Sequence, residues 1–127
     1  MVKKINFKAS VIDSLLSYAK SSYPDEGILL LRGKVGKDEI IVNEIVIPPL
    51  ATHGKSFSSF PLHMLPLDLS IVGLAHSHPS GVLKPSLEDL NHFYGRMMVI
   101  MAYPYNSEKD IAVFDSEGNM IKYSIIS

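Results

Sequence analysis

The sequence predicts a single α/β domain over residues 1–127, built from a mixed, largely antiparallel β-sheet flanked by helices. Three observations carry that expectation. Residues Val11 to Ala19 repeat apolar side chains at helical spacing, several apolar runs of strand length follow, and clusters of Gly, Pro, Asn, Asp and Ser punctuate them. There is no internal repeat, linker or low-complexity segment.

Lys4 to Phe7 alternates and reads as a short strand, after which Ala9 or Ser10 starts a helix whose Val11, Ile12, Leu15, Leu16 and Ala19 share one face. Residues Ser21 to Pro24 stop it, because proline disfavours a helical residue before it and has no N–H to continue the ladder. Ile28 to Leu31 is continuously apolar, as in a strand covered on both faces. Gly33 to Lys37 reads as a hairpin turn into a long antiparallel strand, Glu39 to Ile47, which Pro48 and Pro49 end. Ala51 to Ser59 is a loop with a short strand expected at Ser56 to Ser58, and Phe60 to Asp68 is an irregular apolar segment. Ile71 to Ala75 is a buried strand, and Pro79 to Gly81 its closing turn. A second helix opens at Ser86 and is expected to run through Leu90 and Phe93 to Tyr94, with Gly95 as its cap. Met97 to Tyr103, Ile111 to Phe114 and Met120 to Ile126 complete the strands, with turns at Pro104 to Glu108 and Ser116 to Asn119.

Composition narrows the function classes. An apolar fraction of 46% and a charged fraction of 20% are those of an ordinary globular chain, and 127 residues bury about two-thirds of the unfolded surface without staples. A net charge of −1 with no Lys/Arg stripe lacks the footprint of a nucleic-acid binder. The absence of cysteine excludes disulfides, thiol nucleophiles, Cys-based zinc sites and the Pro-Cys-x-x-Cys signature of zinc deaminases. No run reaches the ~20 apolar residues of a membrane span and MVKKINFKAS is not a signal peptide, so a cytoplasmic protein with no membrane partner is expected.

Chemistry gathers in Gly73 to Asp89. His76 and His78 stand one residue apart at a strand end, so the period of two puts both on one face and Ser77 on the other. They are separated by roughly 6.6 Å of backbone rise, which imidazoles can span to meet one ion at about 2.0–2.1 Å. Ser86 is the expected N-cap, and Asp89 lies on the first turn, free to face back toward the histidines. Two histidines and an aspartate with a fourth position left for water form the pattern of a catalytic rather than a structural zinc site. Taken separately, the histidines are equally a polar strand end and Ser86 with Asp89 a capping box; their joint spacing favours the metal. His53, His63 and His92 have no partner at ligand spacing, and Met64, Met97, Met98 and Met101 read as core filler. His53 and the apolar segment Phe60 to Leu65 are candidates for lining a substrate groove.

The run His76-Ser77-His78-Pro79, six residues, Ser86, two residues, Asp89 resembles the signature of the JAMM (MPN+) zinc metalloproteases, H-[ST]-H-P-x6-S-x2-D, at every fixed position. Pro24-Asp25-Glu26, followed by Ile28 to Leu31 and Gly33, resembles the family's upstream glutamate segment. Many members carry a glycine three residues after that glutamate; this chain has Leu29, a departure touching strand packing more than chemistry. The resemblance covers nearly the whole chain. It implies an MPN, cytidine-deaminase-like α-β-α sandwich and one zinc ion held by His76, His78 and Asp89. Glu26 or Asp25 is available as a base, pointing oppositely at a strand entry; the resemblance picks Glu26 as the general acid and base. It also implies that the Ser86 hydroxyl stabilises the oxyanion while capping its helix, since the two duties use its donor and an acceptor position respectively.

Such a chain resembles the minimal prokaryotic, archaeal-type deubiquitinase-like members. The implied reaction is hydrolysis of the bond after the C-terminal diglycine of a ubiquitin-like modifier in its conjugates, with the extended tail paired along a sheet edge near the zinc. The alternatives are a processing peptidase for a ubiquitin-like sulfur-carrier protein, a non-catalytic MPN interaction module, and a purely structural zinc. Retention of Glu26, His76, His78, Ser86 and Asp89 speaks against the interaction module.

Overall fold

A computed structural model describes residues 3–48 and 68–127. The strand expected at Ser56 to Ser58, the apolar segment from Phe60 to Leu67, and His53, His63 and Met64 lie outside the described residues.

Strand β1 (Lys4–Lys8) runs directly into helix α1 (Ala9–Ser22), which buries Val11, Ile12, Leu15 and Ala19. The N-cap, Lys8, supplies no side-chain hydrogen bond, so burial of that face, not capping, holds the helix. Strands β2 (Ile28–Val35) and β3 (Glu39–Val46) form an antiparallel pair. After them come β4 (Ile71–His78), α2 (Leu87–Asn91), β5 (Met97–Ala102), a 3₁₀ turn at Glu108–Asp110, β6 (Ile111–Phe114), β7 (Met120–Ile121) and β8 (Ser124–Ile126).

The described strands make one sheet in the order β7-β6-β5-β4-β2-β3-β1-β8. Four of its pairings are antiparallel (β2 with β3 and β4, β6 with β5 and β7) and three parallel (β1 with β3 and β8, β4 with β5). Only Lys122 and Tyr123 separate β7 from β8, although these strands end the order on opposite sides. Three Cα–Cα steps span at most about 11 Å, so the sheet curls until its two edges nearly meet. Helix α1 fills the concave face, where Val11, Leu15 and Ala19 pack with Phe7, Leu31, Val42, Ala75, Val99 and Val113. Leu83, Phe93 and Tyr94, flanking α2, cover the opposite face at Leu30, Leu74, Met98, Ile100 and Phe114. The sheet therefore carries a helical layer on each side, as expected. Among the described residues no helix is long and apolar enough to cross a membrane.

Three element boundaries differ from the sequence expectation. Gly33 belongs to β2, not to a turn: the register shifts between Arg32 and Gly33, and a Cβ at Gly33 would meet the Ile41 carbonyl oxygen at 2.1 Å. Its role is close backbone approach at a bulge. Helix α2 ends at Asn91, short of Tyr94, because Phe93 and Tyr94 turn onto the sheet and the Arg96 N–H reaches the Val72 carbonyl at 2.6 Å. Met120 to Ile126 divides into two strands, since β7 serves β6 while β8 serves β1 across the curl.

Candidate metal centre

Leu74, His76 and His78 alternate with Ala75 and Ser77 along β4. Ala75 packs on the α1 side and Leu74 on the other, so both imidazoles project from the face that α2 covers. The antiparallel register of β2 with β4 pairs Ile28 with His76, and the Ser77 N–H donates to the Gly27 carbonyl at 3.0 Å. Continuing that register two residues beyond Ile28 brings Glu26 opposite His78. Strand β5 runs parallel to β4, so the chain must cross over between them, and α2 lies on that crossover with its first turn at the carboxyl end of β4. That turn delivers Asp89.

The local reason Asp89 faces inward is a capping box. The Ser86 Oγ accepts from the Asp89 N–H at 3.0 Å, and the Asp89 Oδ2 accepts from the Ser86 N–H at 2.8 Å. Capping and site-building are thus one arrangement rather than competing readings. Asp89 Oδ2 also lies 3.1 Å from His78 Nε2, and Oδ1 lies 3.4 Å from His76 Nδ1. The Val82 carbonyl, 2.8 Å from His78 Nδ1, accepts its proton and leaves Nε2 turned to the cluster. Glu26 Oε2 completes the group at 3.9 Å from His76 Nδ1 and from His78 Nε2.

Burial alone would raise the Asp89 pKa, but the His78 hydrogen bond, the His76 charge and the Ser86 N–H outweigh it and carry the group to about 2. Burial would likewise lower His78; the Asp89 hydrogen bond, the Val82 carbonyl and the charges of Asp89 and Glu26 reverse this and hold it above the usual imidazole value. Both shifts express one attraction, between the Asp89 carboxylate and the imidazoles beside it.

Four candidate ligand atoms, one each from Glu26, His76, His78 and Asp89, lie within 4.8 Å of one another. A tetrahedral zinc with bonds of about 2.0–2.1 Å holds neighbouring ligands about 3.3–3.4 Å apart. The Asp89 contacts at 3.1 and 3.4 Å match that spacing, whereas Glu26 stands farther off, so the donor set fits a single zinc ion. Glu26, His78 and Asp89 line a groove of about 620 Å³, bounded by Pro24, Pro79 and Pro85.

The structure brings together Glu26, His76, His78, Ser86 and Asp89, all named from the sequence. It leaves Asp25 outside the metal-ligand cluster, while the His92 Nδ1 pairs with the Glu88 carbonyl at 2.9 Å. At His76 the strand β4 is itself internal, flanked by β2 and β5. Sequence reasoning missed Val82 and Lys84 in the groove; a turn segment between two motifs carries no periodicity that would single them out.

Comparison with known proteins agrees with this geometry. The family model for prokaryotic homologues of the JAB domain matches residues 8–117. A Haloferax volcanii protein named as a probable metalloprotease is 32% identical over 123 residues, covering 91% of this chain and 76% of its own. Among solved structures, one described as a JAMM metalloprotease-like zinc site in the proteasome and signalosome is 27% identical, covers 100% of both chains and has a TM-score of 0.68. A JAB1/MPN domain protein from Archaeoglobus fulgidus is also 27% identical, with 99% of this chain and 98% of that one covered and a TM-score of 0.68.

Proposed function

This chain belongs to the JAB-domain (JAMM/MPN) family and carries its metalloprotease-like zinc site, and on that premise we propose that it hydrolyses the bond after the C-terminal diglycine of a ubiquitin-like modifier in its conjugates. The observation that carries the reading is the convergence of Glu26, His76, His78 and Asp89 at the head of an open groove. His76, His78 and Asp89 hold the metal. Zinc bound there supplies Lewis acidity and an activated water near neutral pH.

The chain's own groups do the rest. Glu26, off the ligand spacing but facing both imidazoles, takes the proton of the attacking water and returns it to the leaving amine. Ser86 donates a hydrogen bond from its hydroxyl to the carbonyl oxygen as that atom gains charge, while its lone pair keeps the Asp89 N–H. The proline-bounded groove holds an extended tail, for which glycine is the residue of least bulk.

The test is incubation of the zinc-loaded protein with an isopeptide-linked ubiquitin-like conjugate and, separately, a linear precursor extended beyond its diglycine. Cleavage by the wild type, absent in Glu26→Gln and chelator-treated samples, is the expected result. Cleavage of the linear precursor alone moves the assignment to a processing peptidase, and no cleavage of either with zinc bound rejects both substrates.

A further inference from the structure

We infer that Ser77 is a positioning residue for Glu26, acting through the Gly27 amide; the inference rests on the proposed role of Glu26 as proton carrier. Ser77 sits between the two histidines, yet its side chain passes to the opposite face of the sheet and is fully buried. There its Oγ accepts the Gly27 N–H at 2.8 Å, while its own N–H donates to the Gly27 carbonyl at 3.0 Å. Residue 27 is thereby closed onto β4 by two bonds.

Glu26 needs that closure because it precedes β2 and lies in no helix or strand. The segment's other end is held by rings: Tyr23 stacks on Tyr103 at a centroid distance of 4.6 Å and meets Tyr105 edge-on at 6.4 Å. Tyr105 is itself buried, with its hydroxyl beside Ser77. From behind, α1 presses on Gly27, where a Cβ would meet Tyr18 Cε2 at 2.6 Å and Ser22 Oγ at 2.9 Å. The Gly27 amide is thus confined between α1 and β4, and the Ser77 hydroxyl is the acceptor that fixes where the adjoining Glu26 carboxylate stands, 3.9 Å from each imidazole. Ser77 never touches substrate, because it faces away from the groove.

The experiment compares Ser77→Ala, Ser77→Cys and Ser77→Thr with wild type for kcat, KM, zinc content and Gly27 amide exchange, and solves the crystal structure of the Ala variant, or of the Cys variant if Ala does not fold. Thr retains the hydroxyl, whereas Cys keeps the size with only a weak acceptor. Expected for Ala and Cys is a loss of about 10²-fold in kcat, the usual result of a displacement near 1 Å, with KM and zinc content unchanged, a faster-exchanging Gly27 amide and a shifted Glu26 carboxylate. Thr should behave as wild type. Unchanged kcat, or a Glu26 carboxylate still within 4 Å of both imidazoles in the solved variant, overturns the inference. If the wild type cleaves neither substrate, the functional reading is what fails, and the Ser77 claim is decided by the Glu26 position in that crystal structure alone.

Discussion

Ser86 is asked to do two jobs, and three substitutions separate them. Ser86→Ala removes the acceptor of the Asp89 N–H, a 3.0 Å bond at the first turn of a five-residue helix, while the reciprocal bond from residue 86 N–H to Asp89 Oδ2 survives. Losing an N-cap hydroxyl costs about 1 kcal/mol. At about 2.1 cal/mol/K per residue, the unfolding entropy of 127 residues is about 0.27 kcal/mol/K, so Tm should fall by about 4 °C. In the proposed mechanism the same substitution also removes one donor to the developing oxyanion, worth about 10²–10³ in kcat. Ser86→Asn keeps a capping acceptor but moves the donor, so it should retain Tm and lose turnover; Ser86→Thr should retain both. The assay is calorimetric Tm beside steady-state cleavage of a ubiquitin-like conjugate. An Ala variant that melts earlier but turns over within about three-fold of wild type, a difference of only about 0.7 kcal/mol, refutes the oxyanion role. One that turns over slowly without a change in Tm refutes the cap.

Glu26→Gln should keep full zinc content by elemental analysis and lose about 10²–10⁴ in kcat, the span of a general acid–base contribution. Asp89→Ala should instead release zinc, because it removes a ligand together with half of the capping box, and metal content per chain reads this directly. Chelation should leave a folded, inactive protein by circular dichroism, since the cores on both faces of the sheet are built without the metal; unfolding on chelation would make the zinc structural. Alkaline stability should depend on Tyr123, whose pKa is pushed up to about 12 by burial and by Glu108. A raised folded pKa means stability fully present below pH 10 and lost as pH rises from there through about 12, so Tyr123→Phe should flatten that part of the melting profile relative to wild type.

The metal cluster was legible because its spacing is set by local rules: period two placed His76 and His78 on one face, and the capping box turned Asp89 inward. Glu26 was found by resemblance, since residues 26 and 78 meet only through the β2–β4 register, which no local pattern encodes. The curl of the sheet was not legible either. Met120 to Ile126 reads as one strand, and only the pairing of its two halves with opposite edges reveals the division. Gly33 looked like a turn because glycine in a strand is recognisable only from the strand beside it.

The register itself poses a problem that the core does not solve. On β2, Leu29 and Leu31 face the α1 side while Leu30 and Ile28 pack on the other, so within the leucine run a slip by one residue exchanges leucine for leucine. A one-residue slip nevertheless turns every side chain to the opposite face and would carry the Glu26 side away from the histidines. The leucine run alone therefore leaves its own alignment weakly specified, and the residues at its two ends specify it. The structure holds two such devices along β2: the shifts beside Arg32, tied to the Gly33 close approach, and the paired hydrogen bonds of Gly27 with Ser77. The first anchors the strand away from the site and the second at it. The residue between the two metal-facing histidines is thus placed to set the alignment on which the fourth group of the site depends.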